Sequence, residues 1–293
     1  MRTIKLTSET LNKTWRMQFM DKSHFDLCVS EDCHIQRPDG STLLILLKNP
    51  FTKGSLESAR PIVKKIKQKT ENRSTASGIH AKGRVKLDGT VSKTSRVPKG
   101  WEVMSGLIGY FERTVRFPYC HACSWNQENP EKFSKLYPFL KEASFQFSKY
   151  APERFAVQKQ YCQKLHHEFV IPETVYTTVT VNHNFRTACH LDAGDLKSGF
   201  SNLICLREGS YAGGELVLPN WRIAVDLHDG DMIIFDPHEW HGNCQIIPLS
   251  KKYLRTTLVC YFREQMQFCK SMKEELEMAK NRKLGDPLFP EKS

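Results

Sequence analysis

Apolar positions recur along this 293-residue chain with two different periods, and the switch between them divides it. From Asn129-Pro130 to about His167 the spacing is helical: Phe133, Leu136, Phe139, Leu140, Ala143, Phe145 and Phe147, then Ala156, Tyr161 and Leu165, with a break near Ala151-Pro152. Two helices on the outside of a sheet fit this pattern. From Thr174 the period becomes two. The run 175–181 is rich in β-branched residues, and further strands are expected at 201–206, 214–218, 223–227, 232–235, 244–247 and 254–262. Gly213-Gly214, Pro219-Asn220 and Asp229-Gly230 mark turns between them. Many short strands at regular spacing predict a sandwich or jelly roll.

The rest of the chain divides around this core. Residues 1–52 carry short apolar runs such as Leu43 to Leu47 and read as an N-terminal extension packed on the main domain. Residues 53–100 form a basic segment, 101–269 the main domain, and 270–293 a helix-prone stretch with a Pro-containing tail. The N-terminus lacks the apolar stretch of a signal peptide, and the longest aliphatic run is too short to span a bilayer, so a soluble intracellular protein without membrane partners is expected. Ten scattered cysteines form no small-scaffold framework and read as buried free thiols of a reducing compartment.

Charge changes this picture at one place. The net charge is +11, and residues 53–100 hold thirteen Lys and Arg against three acids, so +10 of it lies there. Lys82, Arg84, Lys86, Lys93, Arg96 and Lys99, interleaved with Gly, Ser and Thr, suit a phosphate-tracking surface. The same charge also fits a solvated loop, or a localisation signal at 64–69.

The candidate chemistry sits in the strand-rich half. His190 and Asp192, with a histidine about fifty residues on, are two imidazoles and a carboxylate that can hold iron(II) on one face and leave the other open. Both His238 and His241 are available; Pro237 ends the preceding strand and leaves His238 in a turn, so His241 is preferred. Asp236 and Glu239 either compete as ligands or support the site from behind. If His190 ends a strand, Asn182, Asn184 and Arg186 share its face and are candidate substrate or cosubstrate contacts. Arg255 and Thr257 share a strand face with Val259 and Tyr261, and a guanidinium with a hydroxyl two residues away suits a carboxylate such as the distal end of 2-oxoglutarate. Cys120 and Cys123 with His121 form a zinc site only if Cys28, Cys33 and His34 complete it.

The stretch from Asn182 through His190-Leu191-Asp192-Ala193-Gly194-Asp195, with Gly213-Gly214-Glu215-Leu216-Val217-Leu218-Pro219, Gly230-Asp231, His238 to Asn243, and upstream Ser105 to Phe111, resembles the TET/JBP family of iron(II) and 2-oxoglutarate dioxygenases. The resemblance covers roughly residues 100–262. It implies an α+β fold with a double-stranded β-helix (jelly roll, cupin-like) core and flanking helices. It also implies that His190, Asp192 and His241 bind iron, that Arg255 holds 2-oxoglutarate, and that the substrate is the 5-methyl group of thymine or 5-methylcytosine in nucleic acid. A duplex base must then be flipped out to reach the metal, with the basic segment gripping phosphates and serving as a lid. Trp101, Tyr110, Trp125 and Trp221 are candidates to stack on that base, and a monomer is expected, nuclear in a eukaryote. One algal branch of the family uses ascorbate and adds a glyceryl unit to 5-methylcytosine; its further aspartate is matched by Asp195, which is either a cosubstrate contact or a turn residue. An RNA or protein substrate, and an inactive nucleic-acid reader, are the rival readings.

Overall fold

Strict alternation gives the central sheet two different faces. Along the strand Leu254–Tyr261, Leu258 and Cys260 are fully buried on one side, while Arg255, Thr257, Val259 and Tyr261 line a cavity on the other. The neighbouring strand Thr178–His183 repeats the rule, with Val179 and Val181 in the helix-facing core and Thr180 and Asn182 at the cavity. In Ser201–Glu208, Ile204 and Leu206 face the helices, and Leu203 and Cys205 face the second sheet.

In this computed structural model, residues 1–7, 13–70, 74–80, 83–85, 91–92, 103–283 and 285–290 are described. The main sheet has ten strands, in the order Arg2–Lys5, Cys33–Gln36, Thr42–Leu47, Met232–Phe235, Ser201–Glu208, Leu254–Tyr261, Thr178–His183, Val103–Phe111 and His121–Ala122, with Lys69–Thr70 pairing beside Val103–Phe111. A four-stranded sheet, Gly242–Asn243, Leu216–Leu218, Ile223–Val225 and Leu27–Val29, packs on one face of it. The result is the expected double-stranded β-helix (jelly roll), with helices on the outer face.

The described residues among 1–52 are woven into this framework. Thr42–Leu47 pairs antiparallel with Met232–Phe235, Leu44 opposite Phe235, and Leu27–Val29 runs parallel to Ile223–Val225. Each sheet is incomplete without them. The sequence pattern shows the apolar strand at 43–47 but carries no sign of which sheet receives it.

The helices Tyr137–Tyr150 and Pro152–Lys164 cover the outer face, each with proline in its first turn, where a missing N–H costs nothing. Phe139, Leu140, Ala143 and Phe147 are buried there, each large side chain contributing about 1.5–3 kcal/mol. Phe145 departs from the expected stripe and is 60% exposed. The first part of the basic segment forms the helix Lys53–Val63, whose Arg60 pairs with Asp229 at 2.8 Å, while Lys64 just past its end pairs with Glu208 at 2.6 Å. These two cations hold the helix to the sheet and are not free for phosphate.

The reading of all ten cysteines as free thiols is corrected. Cys120 is disulfide-bonded to Cys269, and the other eight are free thiols. With its sulfur bonded, Cys120 cannot join Cys123 in a zinc site, and Cys28 and Cys33 lie on two strands of different sheets. The disulfide fastens the C-terminal helix Met272–Asn281, whose fully buried Glu275 accepts from Arg113 Nη2 at 2.6 Å and from the backbone N–H groups of Cys120 and Lys270 at 2.8 Å. No described helix is long and apolar enough to cross a membrane.

Candidate active site

His190 and His241 are brought together by backbone pairing: His190 N–H donates to the His241 carbonyl at 2.9 Å, and His241 N–H returns to the His190 carbonyl at 3.0 Å. Close approach of these two segments requires Gly242, since a Cβ there would lie 2.9 Å from the backbone nitrogen of Cys189. Behind Cys189, Met17 N–H donates to its carbonyl and its own N–H donates to the Gln18 carbonyl, both at 2.7 Å. The strand pair is therefore buttressed from the N-terminal segment.

Each imidazole is fixed in one orientation. His190 Nδ1 bonds the Ala188 carbonyl at 2.8 Å and His241 Nδ1 the Glu239 carbonyl at 2.9 Å, so both Nδ1 atoms carry a proton and both Nε2 atoms are turned into the site. Those Nε2 atoms face Asp192, at 3.4 Å from Oδ1 and 3.5 Å from Oδ2. One donor atom from each of the three residues falls within 4.8 Å of the others. Burial pushes the Asp192 carboxyl up, but the two imidazoles facing it outweigh burial and hold it well below the usual carboxylate range. Two oriented nitrogen donors and one ionised carboxylate on one side of a cavity suit an octahedral iron(II) with its remaining positions open.

His238 is not part of this cluster. Its Nδ1 bonds Asp236 Oδ1 at 3.2 Å, and it does not line the cavity. The structure thus joins His241, and not His238, to His190 and Asp192.

The cavity next to the triad has a volume of about 260 Å³. Its apolar lining includes Phe185, Leu203, Leu216, Phe235 and Val259. Arg255, only 5% exposed, points into it with Thr257, and among the described residues its guanidinium makes no hydrogen bond or ion pair. Asn184 anchors the Arg255 backbone on both sides, through Oδ1 at 2.7 Å and its own N–H at 2.8 Å. A buried cation without a protein counter-ion is a place for an anion.

Asn182 lines the cavity and accepts from Ser105 Oγ at 2.6 Å. The expectations for Asn184 and Arg186 are corrected. The strand ends at His183, and Asn184 turns into the left-handed region with φ +47°, so two-residue alternation does not continue to His190. Asn184 is exposed and serves as the backbone anchor just described. Arg186 lies outside the cavity, where it donates to the Met20 carbonyl at 3.0 Å and sits 4.7 Å over the Phe19 ring. Thr180 and Thr187 line the cavity, where Asn184 and Arg186 do not.

Asp195 is buried, lines the cavity, bridges to Arg263 beyond the far end of the strand that carries Arg255, and accepts from Ser201 Oγ at 2.6 Å. Burial and the nearby Asp192 carboxylate push its pKa well above the usual range. Arg263, which the sequence reading missed, lines the same end, stacks 4.1 Å from the Phe111 ring centroid and pairs with Glu112. It keeps the parity of Arg255, Thr257, Val259 and Tyr261, and that was the available signal.

The turn Ser74–Ser77 reaches the cavity through Thr75 and Ala76, whose carbonyl accepts from Ala188 N–H at 2.7 Å. Arg84 lies on a short strand Gly83–Val85, while Lys82, Lys86, Lys93, Arg96, Lys99 and Trp101 lie outside the described residues. Tyr110, Trp125 and Trp221 pack against core clusters and do not line the cavity.

Comparison with known proteins agrees with this geometry. The Tet_JBP family, the oxygenase domain of the 2OGFeDO superfamily, matches residues 106–264, more than half of the chain. The bifunctional helicase and thymine dioxygenase JBP2 of Leishmania tarentolae is 33% identical over 162 residues, covering 54% of this chain and 14% of that protein. Thymine dioxygenase JBP1 of Leishmania braziliensis is 30% identical over 184 residues, 59% of this chain and 21% of that one. The chain thus corresponds to a small part of these relatives' length. Among solved structures, NgTET1 in complex with 5mC DNA superposes with a TM-score of 0.60 at 15% identity, covering 96% of this chain and 90% of that chain.

Proposed function

Because the chain belongs to the TET/JBP family of oxygenases, we propose that it is an iron(II)- and 2-oxoglutarate-dependent dioxygenase that hydroxylates the 5-methyl group of a pyrimidine in DNA, 5-methylcytosine or thymine. The observation that carries this reading is the pairing, in one cavity, of the His190, Asp192 and His241 donor set with the unpaired, buried Arg255 guanidinium. Iron(II), once bound with 2-oxoglutarate and oxygen, supplies the oxidising power for a methyl C–H bond. The protein's own residues do the rest. His190 and His241 present fixed Nε2 donors, and Asp192 supplies the negative charge. Arg255 forks onto the distal carboxylate of the cosubstrate with Thr257 beside it, and Phe185, Leu203, Leu216 and Phe235 exclude water.

With the cosubstrate at the Arg255 end, the lining left for a base is Thr180, Asp195, Tyr261 and Arg263. Tyr261 offers an aromatic face, and Asp195 and Arg263 offer an acceptor and donors for the edge of the ring. A cavity of about 260 Å³ has no room for a duplex, which supports a mechanism in which the base is flipped out to reach it. The thymine dioxygenase activity of the JBP relatives and the 5mC DNA in the neighbouring structure support a DNA substrate. The charge of residues 53–100 supports a phosphate grip at Lys82, Arg84, Lys86, Lys93, Arg96 and Lys99. Action as a monomer, in the nucleus where there is one, completes the proposal.

The test is reconstitution of the purified protein with iron(II) under anaerobic conditions, then turnover with 2-oxoglutarate or ascorbate on DNA and RNA containing thymine or uracil, with or without 5-methylcytosine. Nucleoside mass spectrometry reads the product. A 5-hydroxymethyl pyrimidine in DNA that needs 2-oxoglutarate is expected. A glyceryl adduct with ascorbate would shift the cosubstrate, and no modified nucleoside under any condition would overturn the enzyme.

A further inference from the structure

Arg37 stands in the turn between the strands Cys33–Gln36 and Thr42–Leu47, 199 positions before Asp236 and far outside the segment 106–264 matched by the family. Its mostly buried guanidinium spans the loop that carries His241. Nη2 donates to Asp236 Oδ2 and to Glu239 Oε1, both at 2.8 Å, Nε donates to Glu239 Oε1 at 3.2 Å, and Nη1 donates to the Thr42 carbonyl at 2.7 Å. Both carboxylates are mostly buried, with side chains 20% and 19% exposed.

What those carboxylates are attached to gives the contact its meaning. The backbone carbonyl of Glu239 accepts from His241 Nδ1 at 2.9 Å and so sets the plane of that ring. The carbonyl of Pro237, inside the same turn, accepts from Asp192 N–H at 3.0 Å. One guanidinium therefore holds, at both ends, the turn whose carbonyls orient two of the three donor residues. A planar five-donor fork can bridge two carboxylates and a carbonyl at once, and a lysine cannot.

We propose that Arg37 is a positioning residue of the metal centre, acting through Glu239 on the His241 ring and through the 236–239 turn on Asp192. The proposal rests on reading His190, Asp192 and His241 as the metal site. Two consequences follow from the geometry. Residues 1–52 complete the active site as well as the sheets, so the family-matched segment alone lacks the brace for its second histidine. Without Arg37, two mostly buried carboxylates next to a ligand would also lose their cation and be drawn toward any bound metal.

The test uses cobalt(II) as the probe on the full chain, read by its visible absorption spectrum and by titration. Wild type should bind one equivalent, and Asp192→Ala should lose binding; failure of both would reject the metal site itself. Given that site, Arg37→Gln and Glu239→Ala should each weaken binding about 10–100-fold and alter the ligand-field bands. Their double variant should be no weaker than Arg37→Gln alone, since losing Arg37 already breaks the linkage through Glu239. Arg37→Lys keeps the charge but not the fork and should fall between, which also covers the case in which Arg37→Gln does not fold. Unchanged affinity and spectrum in Arg37→Lys and Glu239→Ala, or a loss confined to the thermal midpoint of the metal-free protein, would overturn the proposal. Additive losses in the double variant would do the same.

Discussion

Replacing Arg255 by alanine separates a ligand-binding role from a structural one. The guanidinium is 5% exposed, lines the cavity with Thr257, and has no acid or hydrogen-bond acceptor among the described residues. Truncation therefore leaves no protein carboxylate orphaned, and the backbone anchor through Asn184 Oδ1 at 2.7 Å survives because it uses the main chain. The thermal midpoint of the metal-free protein should change little, or rise as an unpaired buried cation is removed. A bound dicarboxylate, in contrast, would lose the cation that faces its distal carboxylate. Breaking a buried ion pair by removing one partner costs about 3–5 kcal/mol. At about 1.4 kcal/mol per tenfold, this weakens 2-oxoglutarate by roughly 10²- to 4 × 10³-fold. Calorimetric titration of 2-oxoglutarate into the anaerobic, cobalt-loaded protein reads that loss, with Arg255→Lys expected between the two because it keeps charge but not the fork. An Arg255→Ala protein that binds 2-oxoglutarate as wild type does, or that unfolds while wild type does not, would refute the assignment.

His241→Ala should abolish turnover and metal binding, whereas His238→Ala, whose Nδ1 bonds only Asp236, should keep most of both; the reverse order in a metal titration would exchange the two histidines. Gly242→Ala places a Cβ 2.9 Å from Cys189 N and 3.0 Å from its Cα, so the His190 and His241 backbones must separate. A loss of about 1–3 kcal/mol in urea unfolding, with weaker metal binding, is expected, and an unchanged metal affinity would contradict it. Burial raises the Glu275 carboxyl, but the bonds from Arg113 and the Cys120 and Lys270 amides outweigh it and hold the pKa below its ordinary 4.5. Its stabilisation is therefore present above about pH 4.5 and lost as pH falls below that value through the depressed pKa. Glu275→Gln should cost about 3–5 kcal/mol at pH 7, with the gap to wild type closing in acid; a gap that does not depend on pH would show that charge is not the cause.

The strand that begins at Arg255 was legible because it is regular for all eight residues, so parity alone sends Arg255, Thr257, Val259 and Tyr261 to one face. The same reasoning failed between Asn182 and His190. A left-handed Asn184 ends the strand after His183, and parity carries no information across such a turn. Arg186 and Asn184, expected inside, instead hold the Met20 carbonyl and the Arg255 backbone. The choice of His241 over His238 was readable from Pro237, which leaves His238 in the turn, where Asp236 takes its Nδ1. Nothing in the sequence marked Arg37 or the Cys120–Cys269 disulfide, since both depend on contacts between residues 149 or more positions apart. Charge misled in a different way. Arg60 and Lys64 belong to the basic segment by composition, yet the structure uses them to hold a helix against Asp229 and Glu208.

The most direct test of the central claim is the nucleoside composition of duplex DNA after incubation with the iron-loaded protein, 2-oxoglutarate and oxygen, measured by mass spectrometry beside an Asp192→Ala control. The account predicts a 5-hydroxymethyl pyrimidine formed with stoichiometric succinate, absent from the control and from reactions lacking 2-oxoglutarate. Succinate release without any altered nucleoside in DNA would contradict the assigned substrate, and neither product would contradict the enzyme.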